Sequence, residues 1–417
     1  MKMKETCFDG VSTHMTFIHA GFMKLCSAFL LALLIVGLAI PMPTRAAEDL
    51  EVSGWIPYWR DSQGIRDAKK HLDDIDAVYP FSYSVKQNGE VTDLADMDKS
   101  DWKRFIRSAR SNDVEIIPTV MWSDGANMLR ILSDKNLRQD HIASIVEMVE
   151  DGDYDGVDID YEAKPAEIKN HFSAFLEELK DELGSKILAC TIEARTPPDS
   201  LYKTIPANLQ YANDYKEIAE HCDQVEIMAY DQQRADLKLN DAKKGEPYMP
   251  LADVDWVRKV VDLAVDTIPA EKIMLGVPTY GHHYTVTVSP DWYQGYQRIG
   301  ALNVPDMLEV AEDYNVEPGR NKAGEMSFTY FPNSSPYRLL RSLPVPKGTP
   351  EGMEAAAQAL LFANMAKQTL TFNIGWFSDA EAINDKIELA KEFDLRGVAL
   401  FKIDGEEDRD VWEFLEE

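Results

Sequence analysis

The eight residues DGVDIDYE at positions 155–162 decide the fold of this chain. Their acidic side chains alternate with valine, isoleucine and tyrosine, which is typical of a half-buried β-strand whose side chains point in turn to two faces. A solvated acidic strand or a calcium-binding loop is the alternative. The strict alternation and the lack of an EF-hand spacing argue against both. The stretch therefore predicts a strand with Gly156, Asp158, Asp160 and Glu162 on one face.

Similar short apolar segments recur along the chain and alternate with longer amphipathic segments. The predicted strands are 52–58, 77–85, 114–121, 156–160, 186–192, 224–229, 272–279 and 397–403. The principal predicted helices are 101–111, 140–149, 165–183, 255–264 and 379–393. Strands that alternate with helices in this way predict an α/β fold, a TIM (β/α)8 barrel. No glycine-rich phosphate loop follows the first strand, so a dinucleotide-binding sheet is not supported.

The connection after the seventh strand is too long for a loop inside a compact domain. It contains a strand-like segment at 326–331 and an alanine-rich helical segment at 352–367. These features predict an α+β insertion subdomain between strand 7 and helix 7. The expected organisation is a signal peptide at 1–47, barrel strands 1–7 at 48–284, the insertion at 285–375, and the end of the barrel with strand 8 at 376–417.

The N-terminal segment is typical of a secretory signal, because an apolar run at 28–40 follows Lys24 and precedes small residues at 46 and 47. The run is shorter than the roughly 20 residues of a spanning helix, so a retained membrane anchor is the alternative. We expect a secreted or cell-envelope protein with a cleaved signal peptide. Translation begins at Met1 or Met23; the sequence does not decide between them.

Charge and cysteine content exclude some classes of partner. The formal net charge of −29 makes nucleic acid an unsuitable partner, because phosphate binding needs a positive field.

Outside the N-terminal segment the cysteines are Cys190 and Cys222. No metal-ligand spacing is present, and two buried thiols are expected, with a single disulfide as the alternative. The neighbouring His282 and His283 point apart on an extended chain, so we expect surface or cleft residues rather than metal ligands.

Inside a barrel, the carboxylates of the 155–162 strand stack toward the C-terminal mouth, where barrel active sites lie. Like charges at this spacing cannot all ionise freely, so at least one pKa is expected to rise. A carboxylic acid that stays protonated near neutral pH is what a general acid for glycoside cleavage requires. Glu162, at the end of the strand, is the candidate.

The 155–162 strand resembles the signature strand of glycoside hydrolase family 18, the family of chitinases and related N-acetylglucosaminidases. MAYD at 228–231 resembles the second signature of the family, and the long insertion resembles its extra α+β subdomain. GWIPYW at 54–59, FSY at 81–83 and IPT at 117–119 are most similar to the branch that acts on bacterial cell wall and spore cortex. The resemblance extends over essentially the whole chain after the predicted signal peptide.

The resemblance implies hydrolysis of β-glycosidic bonds in N-acetylglucosamine-containing glycans, of chitin or peptidoglycan type. In this family the 2-acetamido group of the substrate acts as nucleophile, so retention is implied and neither a metal nor an organic cofactor is needed. The resemblance implies that Glu162 is the proton donor, that Asp160 orients the acetamido group, and that Asp158 holds Asp160. It implies that Tyr230 donates a hydrogen bond to the acetamido carbonyl and that Asp231 and Met228 contact the sugar. Asp155 and Gly156 are implied to support the signature strand.

Several aromatic residues are candidate sugar contacts. Tyr58, Phe81 and Trp122 are each expected either to stack on a sugar ring or to pack in the core. Phe401, at the end of strand 8, occupies the position where the family usually has a tryptophan under the sugar at subsite −1. The serine–glycine–glycine element of many chitinases near the third strand is also missing, and its absence favours the cell-wall branch.

The alternative to an enzyme is a catalytically weak or silent chitinase-like sugar-binding protein, but all four acids of the signature strand are present. We expect an N-acetylated oligo- or polysaccharide as partner, and a monomer. Contact with a membrane is expected only if the N-terminal segment is retained. The sequence does not decide which glycan is the substrate or whether cleavage is endo or exo.

Overall fold

The computed structural model describes residues 50–243 and 245–415. The predicted signal peptide at 1–47 lies outside these residues. None of the helices in the two described ranges combines the length and apolar character that crossing a bilayer requires.

The elements of the described chain are numbered in chain order. The strands are β1 (Glu51–Pro57), β2 (Ala77–Val85), β3 (Val91–Asp93), β4 (Glu115–Ile116), β5 (Thr119–Trp122), β6 (Gly156–Tyr161), β7 (Ile187–Glu193), β8 (Gln224–Met228), β9 (Ile273–Pro278), β10 (Tyr280–Ser289), β11 (Trp292–Asn303), β12 (Gly319–Arg320), β13 (Met326–Tyr330), β14 (Leu370–Phe377) and β15 (Gly397–Phe401). The helices are α1 (Asp61–Ala68), α2 (Ser100–Arg110), α3 (Gly125–Ser133), α4 (Lys135–Asp151), α5 (Lys169–Leu183), α6 (Pro198–Leu201), α7 (Tyr215–His221), α8 (Leu237–Ala242), α9 (Val254–Val265), α10 (Val304–Asp313), α11 (Glu354–Ala366), α12 (Ala380–Glu392) and α13 (Val411–Leu415). Short 3₁₀ turns cover Tyr58–Arg60, Ala166–Ile168, Ala270–Lys272 and Pro336–Ser342.

A closed parallel barrel forms the body of the protein, as the alternation of strands and helices predicts. Around the barrel the order is β1, β2, β4 with β5, β6, β7, β8, β9 and β15. β1 pairs in parallel with both β2 and β15, and these two pairings close the sheet. Because the strands are parallel, their carboxyl ends meet at one mouth.

The two faces of β6 divide as the alternation predicts. Val157, Ile159 and Tyr161 are fully buried in the outer core. There α5 presents apolar side chains at helical spacing, and the Tyr161 ring lies 5.5 Å from the ring of Phe175. The opposite face of the strand is left for the acidic residues, which point into the barrel.

The third barrel strand is interrupted, although the sequence predicts a continuous strand over 114–121. The break between β4 and β5 falls at Ile117 and Pro118. Proline has no N–H group to donate to a neighbouring strand. Its carbonyl still accepts the backbone N–H of Asp158 at 2.9 Å, so β6 remains joined to this edge.

An antiparallel sheet is inserted between β9 and α12. Its strand order is β11, β10, β14, β13 and β12, and α11 packs against β10, β13 and β14. The sheet begins at Tyr280, directly after the seventh barrel strand, and its last strand ends at Phe377. Its first residues therefore stand at the mouth of the barrel.

Cys190 and Cys222 form a disulfide bond. The expectation of two buried thiols is therefore wrong, and the alternative of a single bridge is correct. Cys190 lies on β7 opposite Val225 of the adjacent strand β8, and the short helix α7 ends just before Cys222. This neighbouring pairing brings the two Cα atoms to 6.1 Å.

Candidate active site

A cavity of about 380 Å³ opens at the carboxyl ends of the barrel strands. Its lining brings together side chains from β1, β2, β6, β7, β8 and β15 with residues of α9 and of the inserted sheet. The lining residues are Trp55, Phe81, Asp160, Glu162, Thr191, Glu193, Ala194, Met228, Tyr230, Asp231, Ala235, Trp256, Tyr280 and Phe401.

Asp158 lies beneath the cavity, fully buried inside the barrel. Its Oδ2 accepts hydrogen bonds from the Thr119 hydroxyl at 2.7 Å and from Trp55 Nε1 at 3.2 Å. Its Oδ1 accepts a hydrogen bond from the Thr191 hydroxyl at 2.7 Å. Burial raises the pKa of Asp158, and these three donors oppose the rise. Asp158 is thus held in a fixed orientation by three hydrogen bonds beside the next acid on the strand.

Asp160 stands one step nearer the mouth and has free hydrogen-bonding capacity. Only 4% of the residue is exposed, and its Oδ1 has no hydrogen-bond partner among the described residues. Burial, followed by the charges of Asp158 and Glu162, raises the pKa of Asp160 well above its usual value. A buried polar atom without a partner is costly, so Oδ1 is suited to a group that arrives with a ligand.

Glu162 follows β6 at the open mouth and is exposed to solvent. Desolvation of its carboxyl, and then the charge of Glu193, raise its pKa above the usual value for glutamate. The ammonium group of Lys164 opposes this rise. A carboxyl group that is both accessible and inclined to hold its proton has the properties of a general acid.

Lys164 and Glu193 form an ion pair at the wall of the cavity, which the sequence analysis did not identify. Lys164 Nζ lies 3.2 Å from Glu193 Oε2 and also contacts the carbonyl oxygen of Tyr161. Asn213 donates a second hydrogen bond to Glu193 Oε2 at 2.8 Å. The only feature of the sequence that could have predicted a role for Lys164 is its position two residues after Glu162.

Tyr230 and Asp231 follow the end of β8 and line the same cavity as Asp160 and Glu162. Asp231 adopts a positive φ of 55°, a conformation that aspartate tolerates better than most residues. Its Oδ1 accepts hydrogen bonds from Tyr280 at 2.8 Å and from His282 Nε2 at 2.6 Å. Burial raises the pKa of Asp231, but the His282 and Tyr280 contacts outweigh burial and leave it lowered. Asp231 is therefore held as an anion by the inserted sheet.

The apolar side of the cavity is built around Phe401. Its ring lies 5.5 Å from that of Tyr230 in a stacked arrangement. The rings of Trp55, Phe81 and Tyr280 surround it at 5.9, 6.0 and 6.2 Å. Together with Met228, these rings give the cavity an aromatic floor of the kind that stacks on sugar rings.

Two of the candidate aromatic sugar contacts do not line the cavity. Trp122 is buried in the outer core, with its ring 5.2 Å from Tyr161, so the core alternative holds for this residue. Tyr58 lies in the 3₁₀ turn after β1, 4.9 Å from the Trp59 ring. Trp55 takes the position in the cavity instead, because strand alternation turns it inward.

Asp155 and Gly156 lie at the opposite end of the strand from Glu162. Asp155 Oδ2 accepts the backbone N–H of Ile116 at 2.8 Å and so joins β6 to β4. A Cβ atom at Gly156 would lie 2.3 Å from the carbonyl oxygen of Ile187. Both residues therefore determine how the strands meet rather than contacting the cavity.

Glu226 is a further buried acid inside the barrel, and it was not predicted from the sequence. It is fully buried, and its Oε1 accepts a hydrogen bond from the Tyr79 hydroxyl at 2.9 Å. Burial, and then the charge of Asp158, raise its pKa to about 8. The sequence QVEIM at 224–228 could have predicted the inward position of Glu226. Glu226 is two residues before Met228, so the two side chains lie on the same face of the strand.

The adjacent histidines point apart, as expected, but both are buried rather than on the surface. His282 holds Asp231, while His283 Nε2 is 2.7 Å from the hydroxyl of Tyr330 in the inserted sheet. Within the described residues, no group of three or more histidine, cysteine, aspartate or glutamate side chains is arranged to hold a metal ion.

Comparison with known proteins identifies the family. The model described as "Glycosyl hydrolases family 18" matches residues 51–406. The chain is 23% identical over 332 residues to "Putative sporulation-specific glycosylase YdhD" of Bacillus subtilis, covering 78% of this chain and 64% of that protein. It is 23% identical over 372 residues to the cortical fragment-lytic enzyme of Bacillus subtilis, covering 87% of this chain and 72% of that protein. The chain thus spans somewhat less than two thirds of YdhD.

The fold is similar to that of the spore cortex-lytic enzyme SleL of Bacillus megaterium. The TM-score is 0.64 at 21% sequence identity, and the likeness covers 90% of this chain and 75% of SleL.

Proposed function

Since the chain belongs to the glycosyl hydrolases of family 18, we propose that it is an exported glycosidase that cleaves β-linked, N-acetylglucosamine-containing glycans with help from the substrate's acetamido group. The observation that carries this proposal is the pairing of Asp160 and Glu162 at one cavity. Asp160 offers a buried, unpartnered oxygen, and Glu162 offers an accessible carboxyl group whose pKa is raised. One receives the acetamido group and the other supplies a proton.

In the first step, Glu162 donates its proton to the glycosidic oxygen while the acetamido carbonyl oxygen attacks the anomeric carbon. The C–O bond to the leaving sugar breaks and a cyclic oxazolinium ion forms. Holding the acetamido group beside the anomeric carbon turns a mobile substituent into an oriented nucleophile. In the second step, Glu162 takes a proton from water as the water oxygen attacks the anomeric carbon, and the acetamido group is restored.

The buried acids stabilise the positive charge that develops on the oxazolinium ring. Asp160 accepts a hydrogen bond from the acetamido N–H. The growing positive charge favours the ionised form of Asp160, so the proton of Asp160 passes to Asp158, and the Asp160 anion offsets the charge of the ring. Thr119, Thr191 and Trp55 hold Asp158 in place to receive this proton. Tyr230, stacked on Phe401, donates its hydroxyl to the acetamido carbonyl oxygen. These groups are positioned before the substrate binds, which is the main source of electrostatic stabilisation in enzymes.

Replacing Glu162 by glutamine tests the assignment. Glu162→Gln is expected to keep the fold and the binding of N-acetylated oligosaccharides while lowering kcat by about 10²–10⁴-fold. Glu150→Gln, an exposed glutamate on α4, makes the same chemical change away from the cavity and should behave like the wild type. Unchanged turnover in Glu162→Gln would refute the assignment. Binding without turnover in the wild type would favour the alternative of a sugar-binding protein. Phe401 is the reason to consider that alternative, because it stands where the family usually has a tryptophan.

Export rests on the N-terminal sequence alone. A cleaved signal peptide places the mature N-terminus near Ala47 or Glu48, which is just before β1 begins at Glu51. N-terminal sequencing of protein recovered from culture medium tests this boundary. Recovery of a chain that retains 25–40 in the membrane fraction would favour the anchor.

A further inference from the structure

A second groove, of about 640 Å³, lies beside the catalytic cavity. Glu193 and Ala194 line the cavity, and the next residue, Arg195, lines the groove. Two residues of extended chain span at most roughly 7 Å, a distance comparable with the length of one sugar residue. A substituent next to a sugar bound in the cavity is therefore within reach of the groove.

The guanidinium group of Arg195 is available to a ligand. It lies over the ring of Tyr215 at 3.7 Å and over the ring of Tyr211 at 4.4 Å. Among the described residues it has no hydrogen-bond acceptor or carboxylate partner. Ring stacking fixes the plane of the group but leaves its N–H edge free, and that edge matches the two oxygens of a carboxylate.

Other polar atoms of the groove also lack partners within the described chain. Tyr215 is only 4% exposed and its hydroxyl has no hydrogen-bond partner. The hydroxyl of Tyr211 and Oδ1 of Asn213 are also buried and have no hydrogen-bond partner among the described residues. Buried polar groups are normally satisfied, so this cluster indicates a polar ligand beside Arg195.

The charges around Arg195 favour an anion. Asp214 is already paired with Lys169 at 2.8 Å, and Glu193 is bound by Lys164 and Asn213. The groove also contains Lys216 and Glu167. Its charged lining is therefore three cationic and two anionic side chains, a local excess of positive charge in a chain whose formal net charge is −29.

We propose that this groove binds a carboxylate-bearing substituent of the glycan, with Arg195 as the residue that receives the carboxylate. The inference rests on the proposed function and deepens it by naming the substrate class, peptidoglycan rather than chitin. Muramic acid carries a lactyl ether that ends in a carboxylate, and the stem peptide attached to that ether carries carboxylates of its own. Chitin offers only hydroxyl and acetamido groups.

The test compares wild-type protein with Arg195→Gln on four tetrasaccharides. These are an alternating N-acetylglucosamine–N-acetylmuramic acid substrate with free lactyl carboxylates, the same glycan converted to neutral methylamides, the same glycan with stem peptides, and chitotetraose. Arg195→Gln should lower kcat/KM on the free carboxylate about ten- to hundredfold more than on the methylamide or chitotetraose. The difference should shrink as salt is added.

Two further variants separate recognition from folding. Arg195→Lys keeps the charge but loses the planar fork, so its loss should be intermediate. Arg66→Gln removes an exposed arginine on α1 and should show no such discrimination. A selective loss on the peptide form alone would assign the carboxylate to the stem peptide. Equal losses on all four substrates, or no loss on any, would overturn the inference.

Binding measured calorimetrically in the Glu162→Gln background distinguishes failure of the inference from failure of the proposed function. If the wild type cleaves none of the four glycans, the proposed function fails. The groove assignment then stands if the carboxylate form binds more weakly after Arg195→Gln while the methylamide form does not, and it falls if both forms bind equally before and after the substitution.

Discussion

Replacing Glu226 by glutamine should flatten the pH dependence of stability. Glu226 is fully buried inside the barrel, and burial together with the charge of Asp158 raises its pKa to about 8 from a usual value of 4.5. Between these two pH values the folded protein holds a proton that the unfolded chain releases. The contribution of Glu226 to stability must therefore fall as pH rises through this interval, and it levels off above the folded-state pKa.

The magnitude follows from linkage. Each pH unit between 4.5 and about 8 costs ~1.36 kcal/mol, so this single group removes roughly 5 kcal/mol across the whole interval. Between pH 5 and pH 8 the expected loss is roughly 3–4 kcal/mol, because the titration has begun at one end and is incomplete at the other. Glutamine has nearly the same shape and does not titrate, so this loss should be absent from Glu226→Gln.

Denaturant unfolding at pH 5 and pH 8 measures the difference. Glutamine also changes the hydrogen bond with Tyr79, but that contribution is the same at both pH values and cancels. The exposed-site variant Glu150→Gln should follow the wild type. Parallel pH dependences for wild type and Glu226→Gln would show that Glu226 ionises in the folded protein as it does in the unfolded chain, and would refute the reasoning.

Two substitutions at the cavity test the remaining geometry. Glu193→Gln removes a negative charge that raises the pKa of Glu162, and it leaves Lys164, which lowers that pKa, without its counter-ion. The pKa of Glu162 should therefore fall, and the basic limb of the kcat/KM profile should move to lower pH. A basic limb that stays in place would show that Glu193 does not act on the proton donor. Phe401→Trp should tighten binding of an N-acetylated inhibitor, while overpacking against the rings of Trp55 and Tyr230 lowers stability by about 1–3 kcal/mol. Inhibitor affinity and melting temperature separate the two effects, and weaker affinity without destabilisation would contradict the prediction.

The barrel was predictable because its signals are local. Alternation in residues 155–162 predicts which side chains of β6 point inward, and the structure has the same division, with Tyr161 outside and Asp158 inside. The same alternation, applied to β1 and β5, would have chosen Trp55 over Tyr58 and placed Trp122 in the core. Sugar contact and core packing stayed open for Tyr58 and Trp122 because these aromatic residues were judged by type rather than by the alternation of side chains along their strands.

The rest of the site depends on contacts between distant parts of the chain. Asp231 is fixed by Tyr280 and His282, which belong to an inserted sheet about fifty residues further along. The Cys190–Cys222 disulfide depends on β7 and β8 being neighbours. Neither relation follows from the periodicity of a single segment, since each requires the strand order of the closed barrel.

The stereochemistry of the first-formed product tests the central claim most directly. If the acetamido group of the substrate attacks the anomeric carbon and water then opens the oxazolinium ion, two inversions occur and the β configuration is retained. Proton NMR spectra recorded before mutarotation should therefore show the β anomer of the new reducing sugar first. An α anomer appearing first, or equal cleavage of a substrate whose sugar at subsite −1 has been de-N-acetylated, would contradict the mechanism even though the family and the fold stand.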